Sequence, residues 1–298
     1  METIRLGLEW FLTPPHTPFL VGMEKGWFAD AGIDFDFFSP DEPFDPIAAL
    51  LDGRMDLAVT EPIHLARHRG SGAPIVGFAR FFHTNGGVMY LKGRGIERPR
   101  DMVGARVQDS AAPAPGGLAM VKWMIEADGG TCDVAGLERV DYGFRHTDAL
   151  VEGKADVATF AFYNFEVIEA RHRGFDADFF ALKDWGIPDF CQLVLAATSD
   201  ALETRRETLS RVVAVLGRGI DFQHQYPGDA RDIFERRRAI APDDALAEAI
   251  FEATLRCFTF DFSMSPDYYA RLQDWMLATG QIERPLDPAD YWTNALLS

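Results

Sequence analysis

Alternating apolar positions near the N-terminus predict a buried strand that leads through a loop into a helix. Residues 4–8 alternate isoleucine and leucine with arginine and glycine, which is typical of a strand. Pro14 and Pro15 then interrupt regular structure. Thr17, followed by a proline, is typical of a helix start, and Gly26 of a helix end. The segment therefore predicts one strand–loop–helix unit of an α/β protein.

Segments with the two-residue period of a strand alternate with segments with the 3.6-residue period of a helix as far as about residue 198. Beyond that residue the pattern is helical. Further strands are predicted at 34–38, 55–59, 76–81, 87–91, 105–108, 137–142, 177–182 and 191–197. Helices are predicted at 47–51, 63–69, 118–127, 147–152, 164–171, 203–224, 228–238, 242–258 and 266–279. Asp45, Asp200 and Ser265 are the predicted helix caps.

One internal similarity indicates that the chain uses the same βαβ device twice. LLDGRMDLAVT at 50–60 aligns with ALVEGKADVATF at 149–160, so that Gly53 falls on Gly153 and Asp56 on Asp156. A chance match of two common α/β units is the alternative. We interpret the copies as parts of two lobes. The predicted first lobe is 1–91 with 195–298, and the predicted second lobe is an insertion at 92–194.

Composition and charge restrict the classes of function. The chain has 298 residues, 47% hydrophobic content and 24 phenylalanines, which is enough for two lobes that each bury a core. Its formal net charge of −17 opposes binding of nucleic acid or an anionic membrane by the bulk surface. No apolar run reaches the length of a membrane span.

The cysteines and the N-terminus bear on the compartment. Cys132, Cys191 and Cys257 are too widely spaced for a metal or redox motif, and their odd number slightly favours a reducing compartment. Residues 1–20 lack the basic start and apolar run of a signal peptide. We therefore expect a periplasmic or other extracytoplasmic protein if an export signal has been removed, and a cytoplasmic protein otherwise.

Polar and aromatic residues follow two predicted strands of the first lobe. Trp10, Thr13 and His16 come after the first strand, and Glu61 and His64 after the strand at 55–59. Ligands of parallel α/β sheets bind beyond the carboxyl ends of strands. These residues are therefore candidate ligand contacts. The alternatives are a tryptophan in the core, a histidine on a surface loop and a glutamate that caps the following helix.

A metal site is the weaker interpretation of the same region. Glu61, His64 and His68 form E-x-x-H-x-x-x-H, and the two histidines share a helical face. Arg67 and Arg69 flank the second histidine and oppose a bound cation. We expect no metal and no cofactor.

In the second lobe, a loop rich in glycine and proline precedes the helix at 118–127. Ser110 and Gly116 are candidate contacts there, because an anion can bind at a helix N-terminus. Pro113 and Pro115 remove two backbone donors, and no lysine of phosphate-loop type follows.

Aromatic and polar residues follow the second copy of the repeated motif. Phe160, Tyr163 and Asn164 are candidate contacts that would face Trp10 across a cleft, and Asp189 is either a pocket wall or part of a hinge. At least one phenylalanine here could equally be core. The sequence contains no serine nucleophile elbow and no dinucleotide-binding fingerprint.

The pattern LxWxxxxxHxPxxxGxxKGWF, beginning at Leu8, resembles the thiamine pyrimidine-precursor family. GRMDLAV and MYLKG extend the resemblance to about Ala197. The family includes pyrimidine-binding proteins of ABC importers and a pyrimidine synthase that consumes its own histidine. The resemblance implies the α/β, two-lobe type II periplasmic-binding-protein fold, with a ligand cleft between the lobes.

Two departures separate this chain from the synthase branch. The consumed histidine falls on His64, but the cofactor-bearing lysine four positions earlier falls on Thr60, which forms no Schiff base. The synthase's cysteine-rich run falls on PDFCQL, where Cys191 is the one cysteine. The importer branch usually has Asp or Asn where Glu9 stands.

The resemblance implies a non-catalytic binding protein for a small heteroaromatic ligand, with an ABC permease as partner. Trp10 and Tyr163 would stack on the ring, and Glu61 and His64 would bond its polar edge. A cytosolic enzyme on the same fold, with His64 or Glu61 as general base, is the alternative.

Overall fold

The computed structural model describes residues 1–40, 44–110, 116–241 and 244–297. The chain divides into two compact units. Unit 1 comprises Met1–His83, Gln192–Ala270 and Arg284–Ser298, and unit 2 comprises Thr84–Cys191 with Arg271–Glu283. The mixed α/β class predicted from the sequence is confirmed.

The strands and helices follow the predicted alternation. The strands are β1 Glu2–Gly7, β2 Ile33–Phe38, β3 Leu57–Thr60, β4 Ile75–His83, β5 Gly86–Leu91, β6 Arg106–Gln108, β7 Glu138–Val140, β8 Val157–Phe162, β9 Ala177–Ala181 and β10 Gln192–Thr198. The helices are α1 Thr17–Glu24, α2 Trp27–Asp30, α3 Pro46–Leu51, α4 Pro62–Gly70, α5 Gly117–Ala127, α6 His146–Val151, α7 Glu166–His172, α8 Ser199–Thr204, α9 Arg206–Gln225, α10 Pro227–Arg238, α11 Ala245–Leu255 and α12 Pro266–Ala278.

Each unit contains one five-stranded sheet, and the two sheets have corresponding orders. In unit 1 the order is β2-β1-β3-β10-β4, and in unit 2 it is β7-β6-β8-β5-β9. The first three strands of each sheet are parallel, and the fourth runs antiparallel to both neighbours. The parallel part of each sheet therefore has a carboxyl edge, which is where α/β proteins place ligands.

The internal repeat forms the same contact in both units. Asp56 accepts hydrogen bonds from the backbone and side chain of Arg5, while the carbonyl of Gly53 accepts from the Arg5 guanidinium. In unit 2, Asp156 and Gly153 make the same bonds to the single arginine Arg106. Both glycines have positive φ, which a side chain would disfavour. The repeated motif thus joins a helix end to a parallel strand twice.

An apolar core fills unit 1, and C-terminal segments complete the edge of its sheet. The core gathers residues of β1–β4, α1, β10 and the helices α9–α11. The edge strand β4 receives backbone hydrogen bonds from Thr259 and Thr293, and its Gly77 donates to the carbonyl of Tyr291. Pairing of this kind protects a sheet edge that would otherwise expose unpaired backbone groups.

The structure confirms two of the predicted caps and corrects a third. Asp45 accepts hydrogen bonds from the first turn of α3, and Ser265 from the first turn of α12. Asp200 lies inside the first turn of α8, whereas the side chain of Thr198 accepts the capping bond from the amide of Ala201.

Two predicted helices also differ from those observed. The helix predicted at 203–224 is two helices, α8 and α9, which are separated at Arg205. The helix predicted at 242–258 is α11, capped by Asp244, and its predicted first two residues lie outside the described residues. Among the described helices, none combines the length and apolarity needed to cross a membrane.

Candidate functional site

A buried cluster of two carboxylates, a hydroxyl and an imidazole lies at the carboxyl edge of the unit 1 sheet. Glu9 follows β1, and Thr60 ends the neighbouring parallel strand β3. The Thr60 hydroxyl donates to Oε1 of Glu9, and Nδ1 of His64 lies 3.2 Å from Oε2 of the same carboxylate. Glu61 adds a second carboxylate, whose Oε2 lies 3.9 Å from the same nitrogen. We call Glu9, Thr60, Glu61 and His64 the acid–histidine cluster.

The acid–histidine cluster is almost completely shielded from solvent. Glu9 is 3% exposed, and Glu61 and His64 are each 4% exposed. Two buried carboxylates beside one imidazole place several hydrogen-bond acceptors at one edge of the sheet, and a buried carboxylate is stabilised by N–H donors or by an opposite charge. The cluster is therefore suited to a ligand that brings N–H donors or a positive charge.

The cluster also has the donor set of a metal site, although a different set from the one in the sequence motif. One ligand atom from each of Glu9, Glu61 and His64 lies within 4.8 Å of the others. His68, the fourth residue after His64, instead lies against Asp45, with 3.5 Å between its Nε2 and a carboxylate oxygen. The E-x-x-H-x-x-x-H pattern thus does not come together as one ligand set among the described residues.

Glu61 occupies the N-cap position of α4 without using its side chain as a cap. Its backbone is extended, and no capping hydrogen bond from its carboxylate is found within the described part of the chain. The proline at the next position removes one amide that a cap would otherwise serve. The carboxylate is therefore placed toward His64 rather than toward the helix.

Trp10, Thr13 and His16 form a hydrogen-bonded relay in the loop after β1. The indole Nε1 of Trp10 donates to the Thr13 hydroxyl at 3.1 Å. Both the amide and the hydroxyl of Thr13 lie within hydrogen-bond distance of Nδ1 of His16, at 3.2 and 3.3 Å. Because the amide can only donate, Nδ1 accepts, and the neutral ring carries its proton on Nε2.

His16 is a neutral donor. Burial lowers its pKa to about 3, so the ring is uncharged at physiological pH. Its Nε2 is buried and has no hydrogen-bond partner among the described residues. Trp10 is partly buried against the unit 1 core, with its ring centroid 5.8 Å from that of His16. The relay therefore combines a partly open aromatic surface with an unused N–H group.

In unit 2, Ser110 and Gly116 border the segment 111–115. This segment, which includes Pro113 and Pro115, lies outside the described residues. The N-terminus of α5 adjoins a carboxylate. A Cβ placed on Gly117 would lie 2.7 Å from Cγ of Asp109 and 2.4 Å from the Thr159 hydroxyl. That close approach requires glycine, and the neighbouring carboxylate opposes an anion at this helix end.

Phe160 has a strained backbone at the end of β8. Its φ of 56° is unusual for a residue other than glycine, and such strain costs about 1–3 kcal/mol. The register of β8 against β5 shifts close to this position. The ring lies 5.9 Å from that of Phe190. Strain of this kind is concentrated at functional sites, which supports Phe160 as a candidate functional residue.

The other candidates of unit 2 form contacts within the unit. Tyr163 is exposed, with its ring 5.2 Å from that of Phe179 and the Arg171 guanidinium carbon 5.8 Å from its centroid. Asn164 is buried and accepts a 2.7 Å hydrogen bond from Thr84. Asp189 accepts from the amide of Cys191 at 3.2 Å. Their role in ligand binding stays a prediction.

The sequence interpretation missed Glu9 and Thr60 as members of the site. Glu9 stands between the apolar Leu8 and Trp10, and Thr60 is the last residue of the buried strand β3. The available signals were a charged residue close to the end of a buried strand and the departures from the family pattern at Glu9 and Thr60. The parallel pairing of β1 with β3 brings the two residues together.

Comparison with known proteins places the chain in a family. The model of the family described as NMT1/THI5 like matches residues 13–230. A formylaminopyrimidine-binding protein of Halalkalibacterium halodurans is 29% identical over 234 residues, which cover 78% of this chain and 70% of that protein. A 4-amino-5-hydroxymethyl-2-methylpyrimidine phosphate synthase of Legionella pneumophila is 27% identical over 57% of this chain and 52% of its own length.

The fold has solved counterparts. The periplasmic aliphatic sulphonate binding protein SsuA of Escherichia coli superposes with a TM-score of 0.76 at 10% identity, over 98% of this chain and 92% of that one. At this identity the likeness concerns the fold alone, which is that of periplasmic binding proteins.

Proposed function

The chain belongs to the NMT1/THI5-like family, and from that premise we propose that it is a solute-binding protein for a small heteroaromatic ligand of the pyrimidine type. The relative from Halalkalibacterium halodurans carries the name of a formylaminopyrimidine-binding protein, which supports this ligand class. The precise pyrimidine is left to experiment.

The observation that carries the proposal is the acid–histidine cluster. An aminopyrimidine presents an N–H donor beside a ring nitrogen that accepts or carries a proton. Carboxylates accept from the amino group, and a protonated ring nitrogen would place a positive charge beside the buried Glu9 and Glu61 carboxylates. Specific polar groups of this kind fix the orientation of a ligand whose faces are apolar.

The relay supports the same ligand class. Trp10 offers part of an aromatic face for stacking on a planar ring. Nε2–H of His16 is a neutral donor for a ring nitrogen or a carbonyl oxygen of the ligand. We propose Trp10, Thr13, His16, Glu61 and His64 as ligand contacts, with Glu9 and Thr60 in addition.

We propose further that the protein serves an ABC importer from an extracytoplasmic compartment. Its fold is that of proteins such as SsuA, which is named a periplasmic binding protein. A permease is the partner that this role requires, and the genes beside this one are the first place to seek it.

Isothermal titration of the whole chain tests the ligand class. We expect 4-amino-2-methylpyrimidines to bind with a Kd of about 1 μM or below, a free energy near −8 kcal/mol. The matched control is 2-methylpyrimidine, which lacks the amino group and should bind far more weakly. Binding of an aliphatic sulfonate, with none for any heterocycle, would refute the pyrimidine assignment.

A second function, an enzyme on the same fold, is favoured by one contact. The Glu9 carboxylate lies 3.2 Å from Nδ1 of His64, an arrangement that orients an imidazole as a general base. Mass spectrometry of bound pyrimidines after long incubation distinguishes the two functions. An altered mass of the pyrimidine after incubation with the wild-type protein, and an unaltered mass with the His64→Asn variant, would favour the enzyme.

A further inference from the structure

A pocket of unit 1 lies outside the acid–histidine cluster, and two arginines form part of its wall. It has a volume of about 350 Å³, within the range of small-molecule sites. Its walls are formed by the loop after β1, the end of β2 and the end of α10, through Leu12, Phe37, Phe38, Ser39, Arg237 and Arg238. None of these residues belongs to the acid–histidine cluster. The pocket lies where β2 ends, again at the carboxyl edge of a parallel sheet.

Two arginines give this pocket its charge. Arg237 and Arg238 end α10, and no carboxylate among the described residues pairs with either of them. In contrast, the preceding Arg236 has its Nη2 at 3.3 Å from Oε1 of Glu24. Both guanidinium groups are exposed, and they place two positive charges at one point of a chain of formal net charge −17.

Aromatic rings support both arginines from one side. The guanidinium carbon of Arg237 lies 5.4 Å from the centroid of Phe37, and that of Arg238 lies 5.5 Å from the centroid of Phe11. A guanidinium over a ring keeps its N–H edge available for an oxyanion. The arginines are thus partly ordered before a ligand arrives, which lowers the entropic cost of binding.

The remaining walls add one polar group and an apolar surface. The Ser39 hydroxyl oxygen accepts a 2.8 Å hydrogen bond from the amide of Leu12, so its own proton can be donated to a ligand. Phe38 is 44% exposed and forms an apolar wall with Leu12 and Phe37. The pocket therefore joins a cationic fork and a hydroxyl donor to an aromatic surface.

We propose that this pocket binds a phosphomonoester carried on a small aromatic or apolar body. A dianionic phosphate matches the bidentate edges of two guanidiniums, and the phenylalanines cover the organic group. This inference does not depend on the pyrimidine site, because it uses other residues and the opposite ligand charge.

Titration calorimetry of the full chain with phenyl phosphate tests the proposal. We expect a Kd below about 1 mM, and at least about tenfold weaker binding by the Arg237→Gln/Arg238→Gln double variant. Inorganic phosphate, which lacks the ring, should bind at least about tenfold more weakly than phenyl phosphate. Affinity should fall at pH 5, because the second ionisation of a phosphomonoester has a pKa near 6.

Arg236→Gln is the control, since it removes one guanidinium group from the same helix end without touching the pocket. It should leave the affinity for phenyl phosphate unchanged. The proposal would be overturned by an equal loss of affinity in the double variant and in Arg236→Gln. It would also be overturned if the uncharged benzyl alcohol bound as tightly as phenyl phosphate, or if phenyl phosphate did not bind at a concentration on the order of 10 mM. Thermal unfolding of each variant should show a retained fold, because all three arginines are exposed.

Discussion

Nδ1 of His64 lies 3.2 Å from Oε2 of Glu9, although 55 positions separate the two residues in the chain. The contact arises because β1 and β3 pair in parallel, which brings the residues after each strand to one edge. It joins a histidine that the sequence singled out to a carboxylate that it did not.

Glu9→Gln should weaken binding of an aminopyrimidine by about 1.5–3 kcal/mol, roughly 10- to 150-fold, because a charge-assisted hydrogen bond is lost. Calorimetric titration measures this loss. Glu252→Gln, on the exposed face of α11, makes the same chemical change away from the cluster and should have no effect. Unchanged affinity of a folded Glu9→Gln protein would exclude the cluster as the ligand site.

Trp10→Ala separates a stacking wall from a core residue. As a partly buried stacking residue, Trp10 should contribute about 1–3 kcal/mol to ligand binding. A core role would instead cost about 3–5 kcal/mol of folding stability and leave the affinity of the folded protein intact. Trp10→Phe is the matched control, because it keeps a ring but loses the N–H bond to Thr13. Thermal unfolding and titration of each variant decide between the roles.

Acid should destabilise the fold through two buried histidines. Burial lowers the pKa of His16 to about 3 and that of His146 to about 4, from an ordinary value of 6.5. Below pH 6.5 the unfolded chain binds protons that the folded chain does not, so stability falls as pH decreases from 6.5 toward 3. For His146 the loss at low pH is on the order of 3 kcal/mol. Urea unfolding at pH 7, 5.5 and 4.5 measures it.

His146→Gln should make the free energy of unfolding depend less on pH. The control is His83→Gln, which replaces an exposed histidine and should leave the pH dependence as in the wild type. An equally steep loss of stability in the His146 variant would contradict the assignment.

Glu166 should act in the opposite direction at higher pH. Burial raises the pKa of Glu166 from 4.5 to about 7, although its Oε2 accepts a 2.8 Å hydrogen bond from the amide of Phe162. The folded chain then holds a proton that the unfolded chain has lost, so stability falls as pH rises from 4.5 through 7. Because the residue is only partly buried, we expect about 1–3 kcal/mol.

Glu166→Gln cannot ionise and keeps an acceptor for Phe162. It should therefore be more stable than the wild type at pH 8 and similar at pH 4.5, by urea unfolding. Glu203→Gln, at an exposed position of α8, makes the same chemical change away from Glu166 and should reproduce the wild-type profile. A Glu166 variant whose stability still falls between pH 5 and 8 would locate the effect elsewhere.

Ala239→Gly should stabilise unit 1. Ala239 follows α10 with φ 53° and ψ 39°, a left-handed conformation that favours glycine. Removing the Cβ strain, less the extra entropy of glycine in the unfolded chain, should raise the free energy of unfolding by about 0.5–1 kcal/mol. Ala230→Gly, buried inside the same helix, should lower it by about 1 kcal/mol or more. Urea unfolding measures both, and a destabilised Ala239→Gly protein would show that the αL strain is not relieved.

Local patterns determined most elements of this fold. The period-2 pattern of residues 4–8 and the 3.6-residue pattern of the helices need only the chain itself, because side-chain spacing follows from backbone geometry. The two GxxD copies, Gly53 with Asp56 and Gly153 with Asp156, were also visible, since each is a contiguous motif. Boundaries failed where a tertiary or capping contact decided them, as at Arg205, whose guanidinium binds Glu2 and Asp56.

The sequence by itself also fixed the residue types at the carboxyl edge of the first sheet, including Trp10, His16 and His64. Only the tertiary structure decided their partners. Glu9 joins Thr60 and His64 because strand pairing brings distant residues together, and the cationic pocket exists because α10 ends beside β2. Side-chain periodicity is a property of a few neighbouring residues. A site is formed by segments that are far apart in the chain, and their separation along the chain does not determine which of them come into contact.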